Sequence, residues 1–389
     1  MSIKILVTDG PNKTSLAVVR ALKNDNYFIG VVSQYSKIIT LASYSKYCDI
    51  THIIKANLDD IDSYAADLLD ILKSNSYDVL IPVGLKSYLA VSKYKSQFEL
   101  FTKVVVADWN SIEVAFNKDK TMDFAFKLDV PIPKTTILCS EDDLKDIKNY
   151  PVVIKSSDNS GNFVKYCNDE LELAQKFTSL SLSSKTSIIA QEYILGFGCG
   201  FYGVYNNGKL IAHFLHKRIK EFPITGGASA VAESYFDEKL YTYGKKICDE
   251  LKWHGPIMVE FKYDIKTDDY KLIEINPKLW GSLDLTVEAG VNVPEILIDI
   301  ALGRHINNFY GYKYLKYRWI FPDECKVLAS KISLKNSLIF FSTDKNTKIN
   351  FYWDDPLPML IQIPQTVINI FETLFSFRKK YPHGKVYFR

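Results

Sequence analysis

The stretch Met258–Ser282, MVEFKYDIKTDDYKLIEINPKLWGS, decides the fold predicted for this chain. Each half alternates apolar with polar residues, which predicts two strands, and a polar turn joins them. If Asp264 pairs with Tyr270 across a loop of about five residues, Glu260 lies directly opposite Glu274. The hairpin therefore carries acid on the face that its aliphatic side chains avoid.

Two carboxylates that face each other across an antiparallel pair repel. A divalent cation would remove this repulsion, and Glu260, Glu274 and Asn276 offer the hard oxygen ligands that Mg²⁺ accepts beside phosphate oxygens. The alternative is a solvated acidic face of an ordinary hairpin. The turn Pro277–Ser282, with its lysine, tryptophan and Gly-Ser pair, favours a phosphate-handling site.

Glu260 followed by the run IEINPKLWGS resembles the metal-binding end of the ATP-grasp superfamily, in its carboxylate–amine ligase and carbamoyl-phosphate-synthase-like branch. The resemblance covers about residues 1–305 and is most specific over 118–282. It implies an α/β and α+β fold in which a Rossmann-like domain precedes a two-lobed ATP-grasp domain and a small C-terminal extension. The implied boundaries are 1–110 for the Rossmann-like domain, 111–190 for the small lobe, 191–310 for the large lobe and 311–389 for the extension.

The chain as a whole agrees with this division. Its 389 residues predict two or three domains, and 47% hydrophobic with 24% charged residues is typical of a globular protein. A net charge of +3 gives no reason to expect nucleic acid. The six cysteines form no close pairs, which favours reduced thiols and a cytoplasmic location. We expect no signal peptide and no membrane-spanning helix.

The N-terminal region predicts a parallel sheet. A strand at Ile3–Val7, a helix at Thr14–Lys23 and a strand at Phe28–Ser33 form a right-handed crossover unit. The loop Gly10–Ser15 lacks the glycine spacing of a Walker A motif and of GxGxxG, so we do not expect it to bind nucleotide. The resemblance implies that this domain helps to hold the substrate.

Two lysine positions resemble the phosphate-binding lysines of the family. The first is the cluster from Lys118 to Lys120, where Lys120 is the best candidate, although most such clusters are simply solvated. The second is Lys155, which ends the apolar strand YPVVIK before a polar loop containing Ser160 and Gly161. A lysine and backbone N–H groups of such a loop can together cover phosphate oxygens. The alternative is an ordinary strand followed by an exposed turn.

The segment QEYI resembles the connection between the two lobes and is predicted to bind the nucleotide through Gln191, Glu192, Tyr193 and Ile194. The backbone of Glu192 and Ile194 would contact the adenine edge. The family commonly has an acidic residue just after the following glycine, where it binds ribose. This chain has Phe197 there, so its mode of ribose binding stays open.

The run HKRIKEFPITGGAS places a titratable group and a fixed cation on one strand face, at His216 and Arg218. The resemblance implies that Arg218 lies at the reacting phosphate or the carboxylate, and His216 is a weak candidate for a general base. The alternative is a basic edge strand that resists aggregation. Lys278 departs from the family, which more often has arginine there. Lysine keeps the charge but loses the two-pronged geometry.

The C-terminal region predicts a helix at Gln365–Phe377 with one apolar face, and a basic tail follows it. Our first expectation is that this face packs on the chain's own core. Peripheral contact of residues 357–389 with an anionic membrane, or binding of a partner helix, is the alternative. The oligomeric state stays open.

The resemblance implies an ATP- and Mg²⁺-dependent ligase, with Mn²⁺ as an alternative ion. It would activate a small-molecule carboxylate as an acyl phosphate, join it to an amine, and release ADP and phosphate. In this interpretation Glu260, Glu274 and Asn276 bind the metal, while Arg218 and Lys278 stabilise the reacting groups. A phosphotransferase, a degenerate ATP-binding regulator and a dehydrogenase remain the rival interpretations.

Overall fold

The computed structural model describes residues 2–36, 39–57, 60–157, 164–181, 187–306, 309–342 and 344–387. Three sheets organise these residues, and they follow one another along the chain: a parallel five-stranded sheet, a four-stranded sheet and a seven-stranded sheet. The predicted α/β and α+β fold class is therefore confirmed.

The first sheet is parallel, with the strand order β3-β2-β1-β4-β5. Its strands are β1 (Ile3–Val7), β2 (Tyr27–Ser33), β3 (Ile50–Ile53), β4 (Val79–Ile81) and β5 (Lys103–Val104). Its helices are α1 (Lys13–Ala21), α2 (Ile61–Ser74), α3 (Leu85–Lys93) and α4 (Lys95–Phe98). Because the strand order reverses between β1 and β4, the turns that follow these two strands meet at one crevice.

The second sheet is antiparallel and has the order β6-β9-β7-β8. Helices α5 (Trp109–Phe116) and α6 (Lys118–Lys127) lead into it. It comprises β6 (Thr135–Leu138), β7 (Val152–Ser156), β8 (Val164–Cys167) and β9 (Ile188–Glu192), with helix α7 (Glu170–Ser181). Its apolar side chains form a cluster of their own, separate from the clusters that join the other two sheets. We call this unit the small lobe.

The third sheet has the order β14-β13-β10-β11-β12-β15-β16 and forms the large lobe. Its first five strands along the chain are β10 (Gly196–Asn206), β11 (Lys209–Phe222), β12 (Ala228–Ser234), β13 (Gly255–Asp264) and β14 (Asp269–Asn276). A tight turn joins β10 to β11, and in it Asn207 and Gly208 both have positive φ. The basic strand β11 lies between β10 and β12, so the edge-strand interpretation is wrong. Helices α8 (Glu238–Glu250), α9 (Leu283–Glu288) and α10 (Val293–Ala301) complete this part.

The C-terminal segment is built partly into the large lobe. Strands β15 (Lys316–Arg318) and β16 (Thr347–Ile349) extend its sheet, and β15 pairs with β12. The C-terminal helices are α11 (Cys325–Ser330), α12 (Leu334–Phe341), α13 (Leu357–Phe375) and α14 (Phe377–Lys380). No helix in the described ranges is long and apolar enough to cross a membrane.

A buried ion pair fastens this segment to the first domain. The Asp355 carboxylate accepts a hydrogen bond from Arg20 Nε at 2.8 Å, and it also accepts from Ser45 Oγ at 2.9 Å and from the Lys46 N–H at 3.0 Å. Both partners of the pair are buried, and the Arg20 guanidinium stacks on the Tyr352 ring at 4.3 Å. Residues 351–360, FYWDDPLPML, therefore hold the C-terminal segment on the first domain, and we call the contacts of Asp355 the Asp355 clasp.

The last described residues return to the small lobe. They bind to strand β8, where the Tyr166 N–H donates a hydrogen bond to the His383 carbonyl at 2.7 Å. A second bond joins the Tyr387 N–H to Asn168 Oδ1 at 2.8 Å. The helix α13 is thus held at its start by the Asp355 clasp and beyond its end by the small lobe.

Asp355→Ala should lower the free energy of unfolding by about 3–5 kcal/mol, because it leaves the buried Arg20 guanidinium without its counter-charge. Urea unfolding monitored by circular dichroism measures the loss. The matched control is Asp354→Ala, since Asp354 is half-exposed and its ion pair with Lys23 is 3.7 Å long. That variant should change stability by less than about 1 kcal/mol. Equal losses for both variants would contradict the clasp.

Candidate active site

The hairpin of β13 and β14 places two carboxylates face to face, as the sequence predicts. Glu260 pairs with Glu274, but the register at the turn differs from the predicted one, because Asp264 pairs with Asp269 and not with Tyr270. An irregularity between Glu260 and Phe261 accounts for the difference of one residue. A β-bulge of this kind adds one residue to one strand only.

The bulge also decides which aliphatic side chains enter the core. Leu272 and Ile275 are both buried, whereas Ile273, predicted to share a face with Ile275, is only half-buried. The extra residue lets the strand keep its core face on both sides of the bulge while Glu274 stays on the other face. Bulges often occur next to active sites, where they aim a side chain.

The two carboxylates have different partners. Glu260 Oε2 lies 2.7 Å from Arg218 Nη2, whereas Glu274 Oε1 accepts a hydrogen bond from Asn276 Nδ2 at 2.8 Å. Because this bond uses the amide nitrogen, Asn276 keeps its side-chain oxygen for another partner. The three predicted metal ligands therefore lie together on one face of the hairpin.

Burial and charge act on the two carboxylates in different proportions. Burial raises the pKa of Glu260, and the charge of Glu274 adds to this rise, although Arg218 opposes it. Burial acts in the same direction on Glu274, but Lys118, Asn276, Lys155 and Arg218 outweigh it, so the pKa of Glu274 falls. Glu274 is therefore held as an anion by surrounding cations.

Of the two candidate lysines, Lys118 and not the predicted Lys120 lies beside the carboxylate pair. The Lys118 side chain is buried, and its positive charge lowers the pKa of Glu274. Its backbone N–H donates to the Ser157 carbonyl at 2.6 Å. The Lys120 side chain is 52% exposed and lies 3.5 Å from Glu113. Residues two apart on a helix point in nearly opposite directions, so only one of these lysines can face the site.

Lys155 lies where the sequence predicts, at the end of β7. Its side chain is buried, and burial, with a contribution from Lys118, lowers its pKa to about 8 although Glu274 and Glu260 oppose the shift. The predicted phosphate loop, with Ser160 and Gly161, falls in 158–163 and lies outside the described residues.

The predicted hinge lies at the end of β9 and connects to the large lobe. Gln191 is buried and donates from Nε2 to Thr135 Oγ1 at 2.8 Å, while the Glu192 side chain accepts from Lys271 Nζ at 2.6 Å. The Glu192 N–H donates to the Lys134 carbonyl at 3.0 Å, so within the predicted backbone contacts to adenine this N–H is already used. Its carbonyl and the backbone of Ile194 remain candidates.

A cavity of about 430 Å³ opens beside the hinge. Its walls come from the hinge, the glycine-rich start of β10, the polar face of β11 and β13, and the C-terminal helices α11 and α12. The lining includes Tyr193, Gly198, Arg218, Lys262, Leu328 and Phe340. Lys262 Nζ lies 4.9 Å from the centre of the Tyr193 ring and donates to the Ile194 carbonyl at 3.3 Å.

The sequence did not indicate that C-terminal helices line this cavity, since their residues carry no motif. It also missed Asp9, which lies in the turn after β1 with φ of 58°. Asp9 Oδ2 accepts hydrogen bonds from the Gly84 N–H at 2.7 Å and from Ser87 Oγ at 2.5 Å. Burial lowers the pKa of Lys278, and Glu274, Glu260 and Asp9 oppose this shift. Lys278 therefore feels the charge of Asp9, in the crevice of the first sheet, as well as the charges of Glu260 and Glu274.

His216 is a poor general base. It is fully buried, its ring stacks on Tyr202 at 4.4 Å, and Nε2 is 2.7 Å from Ser282 Oγ. Burial and the charge of Arg218 lower its pKa to about 3. A neutral ring without access to solvent can orient neighbours but does not exchange protons with a substrate.

The residues present fit a divalent cation only in company with another oxygen donor. No group of three or more His, Cys, Asp or Glu suited to a metal ion occurs in the described part of the chain. Two carboxylates and one amide oxygen leave positions that phosphate oxygens can fill, as is usual for Mg²⁺. The nearby cations Lys118, Lys155, Arg218 and Lys278 suit a polyanion in the same place.

Comparisons with known proteins find relatives in sequence and in fold. Residues 204–320 match a family model described as "ATP-grasp in the biosynthetic pathway with Ter operon". The carbamoyl phosphate synthase large chain of Clostridium acetobutylicum is 20% identical over 302 residues, which are 74% of this chain and 27% of that protein. The chain thus spans about a quarter of the length of the curated relatives it matches.

Two solved structures share the fold. The biotin carboxylase domain of Hydrogenobacter thermophilus 2-oxoglutarate carboxylase, in complex with MgADP, ADP and bicarbonate, has a TM-score of 0.66 at 19% identity. The match covers 81% of this chain and 73% of that one. Phosphoribosylglycinamide synthetase from Anaerococcus prevotii has a TM-score of 0.57 at 16% identity, and the match covers 78% and 76% of the two chains.

Lys118→Ala should weaken binding of a non-hydrolysable ATP analogue with Mg²⁺ by at least about tenfold, because it removes a buried cation beside the site. Lys120→Ala is the matched control and should change affinity less than about twofold, since its exposed charge is paired at the surface. Isothermal titration calorimetry measures both. A larger loss in Lys120→Ala than in Lys118→Ala would restore the original assignment.

Proposed function

We propose that this chain, which belongs to the ATP-grasp superfamily, uses ATP and Mg²⁺ to activate a carboxylate as an acyl phosphate and then joins it to an amine. The observation that carries the proposal is the facing pair Glu260 and Glu274 inside a ring of lysine and arginine side chains. Such a site combines ligands for a hard cation with charges for a polyanion.

In this proposal one group of residues binds the metal ion and another binds the phosphates. Glu260, Glu274 and the Asn276 side-chain oxygen would hold Mg²⁺, or Mn²⁺ in its place. The ion, when bound, neutralises phosphate charge and aligns the attacking and leaving oxygens. Lys118 and Lys155 hold the phosphates of ATP. Lys155 reaches them from the small lobe, so the nucleotide would lie between the two lobes.

Arg218 and Lys278 are proposed to stabilise the transferring phosphoryl group and the substrate carboxylate. A carboxylate oxygen attacks the γ-phosphorus of ATP, and the bond from that phosphorus to the bridging oxygen breaks to release ADP. The amine nitrogen then attacks the acyl carbon and loses a proton, and phosphate leaves. Because Arg218 is paired with Glu260, metal binding at Glu260 competes with this ion pair.

The cavity beside the hinge is proposed to take the adenosine. Of the candidates Gln191, Glu192, Tyr193 and Ile194, Tyr193 lines this cavity, and residues of the C-terminal helices α11 and α12 line it too. The proposed domain boundaries follow: 1–110 holds substrate near Asp9, 111–190 and 191–310 enclose ATP, and 311–389 completes the nucleotide wall. The carboxylate and amine remain unassigned, and a cytoplasmic location is part of the proposal.

Mg-ATP, hydroxylamine and a panel of carboxylic acids test the reaction, because hydroxylamine converts an acyl phosphate into a stable hydroxamate. The correct acid should give hydroxamate and ADP in equal amounts. Glu274→Gln should lower the rate by at least about a hundredfold, since it removes a metal-binding charge while keeping the shape of the side chain.

Glu233→Gln is the matched control. Glu233 lies in the same large-lobe sheet and pairs with Lys217, whose side chain alternates with His216 and Arg218 and so faces the other way. This variant should keep its activity. A phosphorylated product without hydroxamate would indicate a phosphotransferase, and tight ATP binding without ADP release from any acid would indicate a regulator.

A further inference from the structure

We propose that helix α13 is a docking surface for an anionic lipid membrane. Its apolar stripe, defined as Leu357, Leu360, Val367, Ile368, Phe371 and Phe375, faces solvent. The exposed fractions reach 59% for Phe371 and 85% for Phe375. The expectation that this face packs on the chain's own core is therefore wrong.

The later part of the helix is inverted relative to a usual surface helix. Pro358 and Met359 are buried near its start, but the buried residues further along are Thr366 and Thr373, each only 1% exposed, and the helix packs on α11. Residues of the apolar stripe recur at the three- and four-residue spacing that keeps them on one side of a helix. A surface helix normally turns its apolar stripe inward, so an outward stripe indicates a partner that is itself apolar.

The helix cannot roll to hide this stripe. The Asp355 carboxylate, two residues before the helix begins, is fixed by Arg20 and Ser45. Beyond the helix, the His383 carbonyl accepts from the Tyr166 N–H in the small lobe. Anchors at both ends fix the rotation of the helix, so the outward stripe belongs to the folded chain.

Charge selects the kind of partner. The short helix α14 that follows carries Arg378, which is exposed, Lys379, which pairs with Glu372, and Lys380. Basic side chains at the end of an amphipathic helix attract anionic headgroups while the apolar face enters the acyl boundary. Trp353, 86% exposed, stands just before the helix, and an exposed tryptophan suits the headgroup region.

A second copy of the chain is a less suitable partner, because its acidic residues near the stripe would have to bind the basic residues of the first copy, and those acidic residues are already paired. Glu372, the single charged residue within α13, is already paired with Lys379. Asp354 accepts from the Tyr47 hydroxyl at 2.8 Å and pairs with Lys23. A lipid surface supplies the apolar interior and the negative charge together, and so it matches both features of the segment.

Co-sedimentation of the full chain with vesicles tests the proposal. We expect binding to mixed phosphatidylcholine–phosphatidylglycerol vesicles, weaker binding to phosphatidylcholine alone, and release as salt rises. Phe371→Glu should lower the partition coefficient at least about tenfold, because it puts a charge in the apolar stripe. The double variant Arg378→Gln, Lys380→Gln, which leaves the pair of Lys379 with Glu372 intact, should lose a similar factor on anionic vesicles only.

Phe126→Glu is the matched control, since Phe126 is an exposed phenylalanine on α6, far from the stripe in sequence. It should bind vesicles as the unaltered chain does, and thermal unfolding should show that all variants fold. Failure of the unaltered chain to bind anionic vesicles would overturn the proposal, as would Phe371→Glu binding like the unaltered chain. A dimer in light scattering that Phe371→Glu dissociates, without vesicle binding, would assign the stripe to a second copy.

Discussion

The site depends on one unfavourable contact, the repulsion between Glu260 and Glu274 on adjacent strands. Two carboxylates so placed are stable only when positive charge surrounds them. Arg218 from β11 supplies it for Glu260, and Lys118 and Lys155 supply it for Glu274 from elements outside the large-lobe sheet. The charges come from separate parts of the chain, so the hairpin sets the relative positions of the two lobes as well as the chemistry.

The small lobe packs differently from the other two units. It has its own apolar cluster, whereas the first domain and the large lobe share theirs. Its ties to the rest include two hydrogen bonds of Tyr166, whose hydroxyl donates to the Thr225 carbonyl and whose N–H donates to the His383 carbonyl. The C-terminal segment therefore reaches all three units of the fold. It is fastened to the first domain, pairs with the large lobe and ends on the small lobe.

The structure shows what surrounds the two positions at which this chain departs from the family pattern. Lys278 is partly buried beside Glu274, Glu260 and Asp9, a position in which a single compact charge can be balanced by several carboxylates. The position of the missing ribose acid adjoins a cavity whose other wall is the C-terminal segment. That wall includes Lys331 and Asn336, which bring polar groups to a side of the cavity that the sequence motifs do not reach.

The sequence by itself determined the strands, the parallel first domain and the facing carboxylates, because period-two alternation and turn residues act over short distances. It favoured Lys120, although Lys118 is the lysine buried beside Glu274, and it paired Asp264 with Tyr270 and not with Asp269. The first choice depends on the rotation of helix α6 and the second on the register of the β13–β14 hairpin. Contacts between segments distant in the sequence decide both. The outward stripe of α13 belongs to the same class: its pattern shows an apolar face, but only anchoring by Asp355 and the tail decides which way that face points.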